Sequence, residues 1–172
     1  MHQIDNTYLT LEKLHEIFHE QQSIELSQDA VRRITDCRSF LDEQSNNNTP
    51  IYGVNTGFGS LCNESISQEN LEELQVNLVI SHACGFGEEV PSSIVKLMLL
   101  LKVQTLSYGH SGVQLETVNR LIDFYNEDIL PVVYQQGSLG ASGDLAPLAH
   151  LSLPLLGSVS YTHLTLPTTV IV

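Results

Sequence analysis

Apolar residues recur at three- and four-residue spacing along most of the chain, a pattern that predicts helices joined by short turns. Leu11, Leu14, Ile17 and Phe18 share one face behind Thr10, and Val31, Ile34, Cys37 and Leu41 share another behind Ser27. Thr10 and Ser27 carry the side-chain oxygens that cap helix starts. The run Asn46 to Pro50 closes the second helix. Residues 51–59 then hold three glycines and no helical period, which predicts an irregular loop or short strand around residues 51–60. Helical spacing resumes near Ser67, with Leu71, Leu74, Leu78 and Val79, and stops near Gly85. Pro91 suits a first helical position, and Glu88 and Glu89 before it suit the positive end of that helix. Adjacent residues on a helix do not face each other, so this pair is better explained by helix-start charge than as two catalytic carboxylates. From Ile94 to Leu106 the segment is apolar nearly all round, as in a helix buried inside a bundle, and Gly109 ends it. Leu115, Val118, Ile122, Tyr125 and Ile129 mark a further amphipathic helix before Pro131. After glycines at 137, 140 and 143, Asp144 can cap a helix running through Leu145, Leu148 and Leu151 towards Pro154. The expected class is mainly α, without internal repeats or a linker between domains.

Charge divides this picture. The 172 residues carry 20 acidic and 7 basic side chains, a formal charge of −13, yet Asp144 is the only Asp, Glu, Lys or Arg from Leu130 onwards. A segment so poor in polar material predicts burial against something. The acidic balance disfavours nucleic acid and anionic membrane surfaces as partners, since both draw on clustered Lys and Arg. The apolar run Leu97–Leu101 is far short of the ~20 residues of a membrane span. No basic start followed by an apolar stretch marks a signal peptide. Cys37, Cys62 and Cys84 fit neither a disulfide framework nor a C-x-x-C metal site, so a reducing cytoplasm and no metal are expected.

Chemistry concentrates in Ala141-Ser142-Gly143. A phosphate cradle would need a Lys after the glycines and a strand–loop–helix setting. A hydrolase elbow would need G-x-S-x-G, which Gly140-Ala141-Ser142-Gly143 does not supply. Taken alone the tripeptide reads as a turn before a capped helix. Likewise Tyr52 alone reads as a tyrosine packed in a loop, and His82, His110 and His150 as structural histidines.

Three stretches change that reading: YGVNTGFG at 52–59, NLVISHACG at 77–85 and GSLGASGDLAPLAHL at 137–151. In this order they closely resemble the aromatic amino acid ammonia-lyase family, from near the N-terminus to about Gly157. The resemblance implies the N-terminal part of an ammonia-lyase helical fold. It also implies a methylidene-imidazolone group formed autocatalytically from Ala141, Ser142 and Gly143, with no external cofactor. Ring closure needs the Gly143 nitrogen to attack the Ala141 carbonyl, an approach eased by the missing Cβ. Dehydration of Ser142 then leaves an electrophilic methylene. A helix starting at Asp144 would place its positive end close to the ring oxygen.

By the same resemblance, a substrate amine adds to the methylene carbon, a base removes the β-proton and ammonia leaves. Tyr52 matches the family's catalytic tyrosine, although a phenol near pKa 10 needs substantial depression to act as a base at neutral pH. His82 matches a position facing the substrate side chain. Relatives acting on phenylalanine or tyrosine carry other pairs there, so Ser81-His82 tilts the expected substrate to L-histidine and the product to urocanate. Imidazole facing imidazole is chemically sensible, since each ring can donate or accept. Full-length members form homotetramers.

After Gly157 the resemblance stops. Family members are much longer, and residues 158–172 look like adapter or vector sequence joined to a broken reading frame. The expected organisation is an incomplete lyase segment over 1–157 and a non-family tail over 158–172, inactive on its own. Three readings stay beside a histidine-specific lyase: a non-catalytic fragment that at most binds a full-length subunit, a tyrosine or phenylalanine ammonia-lyase or aminomutase, and a hydrolase using Ser142 with His82 or His150. The hydrolase has no oxyanion-hole motif to support it.

Overall fold

The computed structural model of the chain describes residues 1–46, 50–56, 66, 70–137 and 145–157. It divides into two compact units, Met1–Ser65 with Lys96–Leu130, and Ile66–Val95 with Pro131–Val172.

The first unit begins with β1 (His2–Ile4), α1 (Leu11–His19) and β2 (Ile24–Leu26), in which the two short strands pair in parallel with His2 opposite Ile24 and Ile4 opposite Leu26. Thr10 caps α1 as expected, its Oγ1 accepting from the Lys13 amide at 3.2 Å. Next comes α2 (Gln28–Asn46), where Ser27 Oγ accepts from the Ala30 amide at 3.1 Å. Most of α4 (Ser92–Ser107) and all of α5 (Leu115–Asn126) complete the unit. Its core contains Ile4, Ile17, Ile24, Ile34, Leu99, Leu100, Val103, Val118, Leu121 and Tyr125.

Three side chains distant in sequence hold the strand pair. Asn126 accepts from the Ile24 amide at 2.9 Å through Oδ1 and donates to the Ile24 carbonyl at 3.0 Å through Nδ2. Gln104 Nε2 and Ser107 Oγ donate to the Asp5 carbonyl at 2.9 and 3.2 Å. These bonds satisfy backbone groups that a two-stranded ladder leaves open.

Gly109 ends α4 with φ +73°, and a Cβ there would lie 2.7 Å from the Arg33 carbonyl oxygen. Only glycine meets both demands without strain. The Arg33 Nε donates to the Ser107 carbonyl at 3.2 Å, tying the same helix end to α2.

In the second unit, α3 (Leu71–His82) leads into β3 (Phe86–Glu89), which pairs antiparallel with β4 (Tyr134–Gln136). The ladder is irregular between Phe86 and Glu89, and the Val90 amide donates to the Val133 carbonyl at 2.7 Å beyond it. After β4, α6 (Leu145–Ser152) packs against α3 and β4, and a 3₁₀ turn over Leu153–Leu156 ends at Gly157.

The mainly helical class expected from the periodicity is the one observed, with helices near the expected places. Four details differ. The strands are three or four residues long, too short to carry a period-two signal, and the sequence reading did not anticipate them. Glu88 and Glu89 lie on exposed β3 rather than on a helix, and α4 starts after them at Ser92. Helix α4 buries Val95, Leu99, Leu100, Val103 and Leu106, but Ile94 and Leu101 are 46% and 42% exposed, so it is not covered all round by the described residues. Leu11, expected on the inner face of α1, is 79% exposed, because that face turns on Ile17 instead. The proposed cap Asp144 and the tail 158–172 lie outside the described residues.

Candidate functional site

Tyr52 belongs to the first unit, in a turn built by its neighbours. The Asn55 Oδ1 accepts from the Ile51 amide at 2.7 Å, while the Val54 and Asn55 amides donate to the Ile51 carbonyl at 3.0 and 3.2 Å. Gly53 follows Tyr52 with φ +75°, a conformation glycine adopts without steric cost. The turn presents Tyr52 with 64% of its surface exposed, and Thr56, at the end of the segment, is buried. The expectation of an irregular segment holds for residues 51–55. Gly57 and Gly59 lie outside the described residues.

His82 is the last residue of α3, half-buried. Its Nδ1 lies 2.7 Å from the Leu78 carbonyl oxygen, one turn back, and 3.2 Å from Ser81 Oγ. A carbonyl can only accept, so Nδ1 carries a proton, and in the uncharged ring the lone pair is then on Nε2. The Ser81 hydroxyl also donates to the Leu78 carbonyl, at 3.0 Å. One carbonyl thus orients both members of the Ser81-His82 pair and leaves His82 Nε2 as an acceptor.

The chain leaves α3 through Ala83, Cys84 and Gly85 and meets α6. The Gly85 amide donates to His150 Nε2 at 2.9 Å. His150 is 4% exposed and stacks edge-to-face with Tyr134, ring centroids 5.3 Å apart. A nitrogen that accepts cannot carry a proton, so this imidazole is neutral with its hydrogen on Nδ1, which has no partner among the described residues. Burial alone pushes its pKa below the ordinary histidine value. His150 was expected to be structural, and its burial fits that. Its bond to Gly85, across 65 residues of sequence, carried no sequence signal. His110 is exposed.

Two glycines meet at this junction. A Cβ on Gly85 would lie 2.8 Å from His150 Nε2, and one on Gly137 would lie 2.8 Å from Gly85 Cα and 3.3 Å from Ala146 Cβ. Cys84 Sγ also approaches the Gly137 carbonyl at 3.8 Å. Gly137 precedes, and Leu145 and Ala146 follow, the segment that contains Ala141, Ser142 and Gly143. Those three residues themselves lie outside the described residues. The second unit therefore brings the Ser81–Gly85 stretch to both flanks of the tripeptide segment.

Among the described residues no group of three or more His, Cys, Asp and Glu side chains is placed to hold a metal ion, and no helix is long and apolar enough to cross a membrane. Cys37 and Cys84 are free thiols.

Comparison with known proteins places this geometry in context. The profile of a family described as aromatic amino acid lyase matches residues 9–169. A histidine ammonia-lyase of Deinococcus radiodurans is 50% identical over 149 residues, which are 87% of this chain and 28% of the relative. One of Legionella pneumophila is 47% identical over 155 residues, 90% of this chain and 31% of the relative. Among solved structures, histidine ammonia-lyase from Trypanosoma cruzi superposes with a TM-score of 0.77 at 39% identity, covering 90% of this chain and 30% of that one. Tyrosine aminomutase from Streptomyces globisporus superposes with a TM-score of 0.83 at 30% identity, covering 91% and 29%. The chain thus spans about three tenths of the length of the relatives it matches. Backbone likeness alone does not separate lyase from aminomutase.

Proposed function

Because the chain belongs to the aromatic amino acid lyase family, we propose that it supplies the N-terminal part of an enzyme that eliminates ammonia from L-histidine to give urocanate. The observation that carries the substrate assignment is the orientation of His82. Its Nδ1 is committed to the Leu78 carbonyl, so Nε2 can accept from the N–H of a substrate imidazole. A phenyl ring offers no donor there, but a phenol O–H does, so His82 by itself argues against phenylalanine and not against tyrosine. The 42–50% identity to enzymes named histidine ammonia-lyase supports the same choice over tyrosine or phenylalanine chemistry.

The residues around 141–143 suit a methylidene-imidazolone group. A Cβ on Gly137 would meet the Gly85 backbone and one on Gly85 the His150 and Tyr134 side chains, and α6 begins directly after the segment at Leu145, with its positive end leading. Once formed from Ala141, Ser142 and Gly143, the group supplies an electrophile that no ordinary side chain provides. The rest of the work falls to side chains of this chain. His82 positions the substrate ring by accepting one hydrogen bond. Tyr52, exposed on its turn, is the candidate base for the β-proton. A homotetramer and a cytoplasmic setting belong to this same proposal.

A second reading keeps the 172 residues as a non-catalytic piece, and the exposure of Phe86, Ile80, Ile94 and Leu101 favours it. Incubating the purified chain with L-histidine, L-tyrosine and L-phenylalanine, while following urocanate and cinnamate-type absorbance, separates these readings. Mass analysis of the peptide spanning 141–143 is read alongside. Urocanate from L-histidine with a dehydrated peptide is the expected result once this chain is joined to the remainder of a full-length relative, and no product is expected from the 172 residues alone. A dehydrated peptide with a different preferred substrate overturns the role of His82. No product and no dehydration from the joined protein leaves the non-catalytic reading.

A further inference from the structure

His150 has features that packing alone does not require. A phenyl ring would fill the same volume and stack on Tyr134 equally well. It would also avoid burying the His150 Nδ1–H, which has no partner among the described residues. What imidazole adds is the Nε2 lone pair, and that lone pair is used: it accepts from the Gly85 amide at 2.9 Å.

Gly85 is a nodal residue. It lies three positions after His82, its Cα is the nearest atom to any Cβ built on Gly137, and Ala146 crowds the same point. Fixing the Gly85 amide therefore fixes the exit of α3 against both ends of the segment that carries the tripeptide. Resting on the lyase reading above, we propose that His150 is a positioning residue of that site. Through the Gly85 amide, it holds the Ser81–Gly85 stretch against the flanks of Ala141-Ser142-Gly143.

The role depends on the uncharged ring, because a proton on Nε2 abolishes the acceptor. On the elements packed against α6, the titratable groups are Glu72, Glu73 and His82 of α3 and Tyr134 of β4; the 3₁₀ turn Leu153–Leu156 carries none. Only Tyr134 is in ring contact with His150, and no charge contributes to the downward pKa shift. The acceptor thus persists at neutral pH.

The test compares the full-length protein with His150→Phe and His150→Gln, a pair that removes the acceptor or replaces it with an amide oxygen. In the parent, long-range ¹H–¹⁵N spectra should show the Nδ1–H tautomer, and the Gly85 amide shift should titrate together with the His150 ring. His150→Phe should move the Gly85 amide resonance and lower tripeptide dehydration or urocanate release at least tenfold. His150→Gln should recover most of that loss. Unchanged activity in His150→Phe, or a glutamine variant as impaired as the phenylalanine variant, overturns the proposal while leaving the lyase function standing. If His150→Phe does not fold, independent titration of Gly85 and His150 in the parent overturns it. A parent that dehydrates no tripeptide and releases no urocanate instead defeats the functional reading on which the proposal rests.

Discussion

Replacing Gly85 with alanine adds one methyl group at a place with no room for it. The new carbon would lie 2.8 Å from His150 Nε2, 3.0 Å from His150 Cδ2 and 3.1 Å from Tyr134 Cβ, against a comfortable separation of about 3.5–4.0 Å. Gly85 does not occupy the left-handed region, so its backbone accepts a side chain and the cost is steric. The imidazole is buried and braced by Tyr134, so it must be pushed off its site. Overpacking of this kind costs about 1–3 kcal/mol. Displacing the ring also breaks a hydrogen bond worth about 0.5–1.5 kcal/mol. The expected loss is therefore about 2–4 kcal/mol, read as a lower urea midpoint by far-ultraviolet circular dichroism with an unchanged slope. A double-mutant cycle locates the cause. In a His150→Ala background the imidazole contacts are gone and only the 3.1 Å approach to Tyr134 Cβ remains, so Gly85→Ala should cost clearly less there, by about 1–3 kcal/mol. An equal penalty with and without the imidazole would refute the steric argument, as would a Gly85→Ala protein as stable as its parent.

Two further outcomes follow from the same contacts. Since the folded-state pKa of His150 lies below its unfolded value of 6.5, the unfolded chain binds the proton first on acidification. Stability should be full above pH 6.5 and fall towards the folded pKa, with a slope of at most about 1.4 kcal/mol per pH unit. His2 is shifted in the same direction, by burial and then Lys13, so the acid-side difference between parent and His150→Gln isolates the His150 share. A flat difference curve would contradict it. In the first unit, Asn126→Ala strips two hydrogen bonds from Ile24 and should cost about 1–3 kcal/mol. Faster hydrogen exchange at the Ile24 amide is its direct signature, and unaltered protection there would count against the strand-holding role.

The helices were legible because their signals are local. Thr10 and Ser27 cap where the sequence suggested, and the α5 face of Val118, Ile122 and Tyr125 is buried as its spacing required. The strands were not, because three residues show no period and their stability comes from Asn126, Gln104 and Ser107 far along the chain. The helix start after Glu88 and Glu89 was legible from Pro91, whereas their own pairing with β4 was not. At the site, motifs identified Tyr52, His82 and the tripeptide as candidates. The tautomer of His82 depends on the Leu78 carbonyl, and the grip of His150 on Gly85 spans 65 residues. Such pairings exist only once the backbone has folded, and a string of residues does not encode them visibly.

The clasp on the first strands also sets a timetable. Ile24 and the Asn126 side chain that completes its hydrogen bonds are 102 residues apart, and the Asp5 carbonyl waits equally long for Ser107. At synthesis rates of about 5–20 residues per second, that gap is about 5–20 s of translation. During that interval β1 and β2 emerge from the ribosome with open edges, which pair readily with other extended chains. Conditions that slow elongation between α2 and α5 should therefore lower the yield of folded protein more than an equal delay after Asn126.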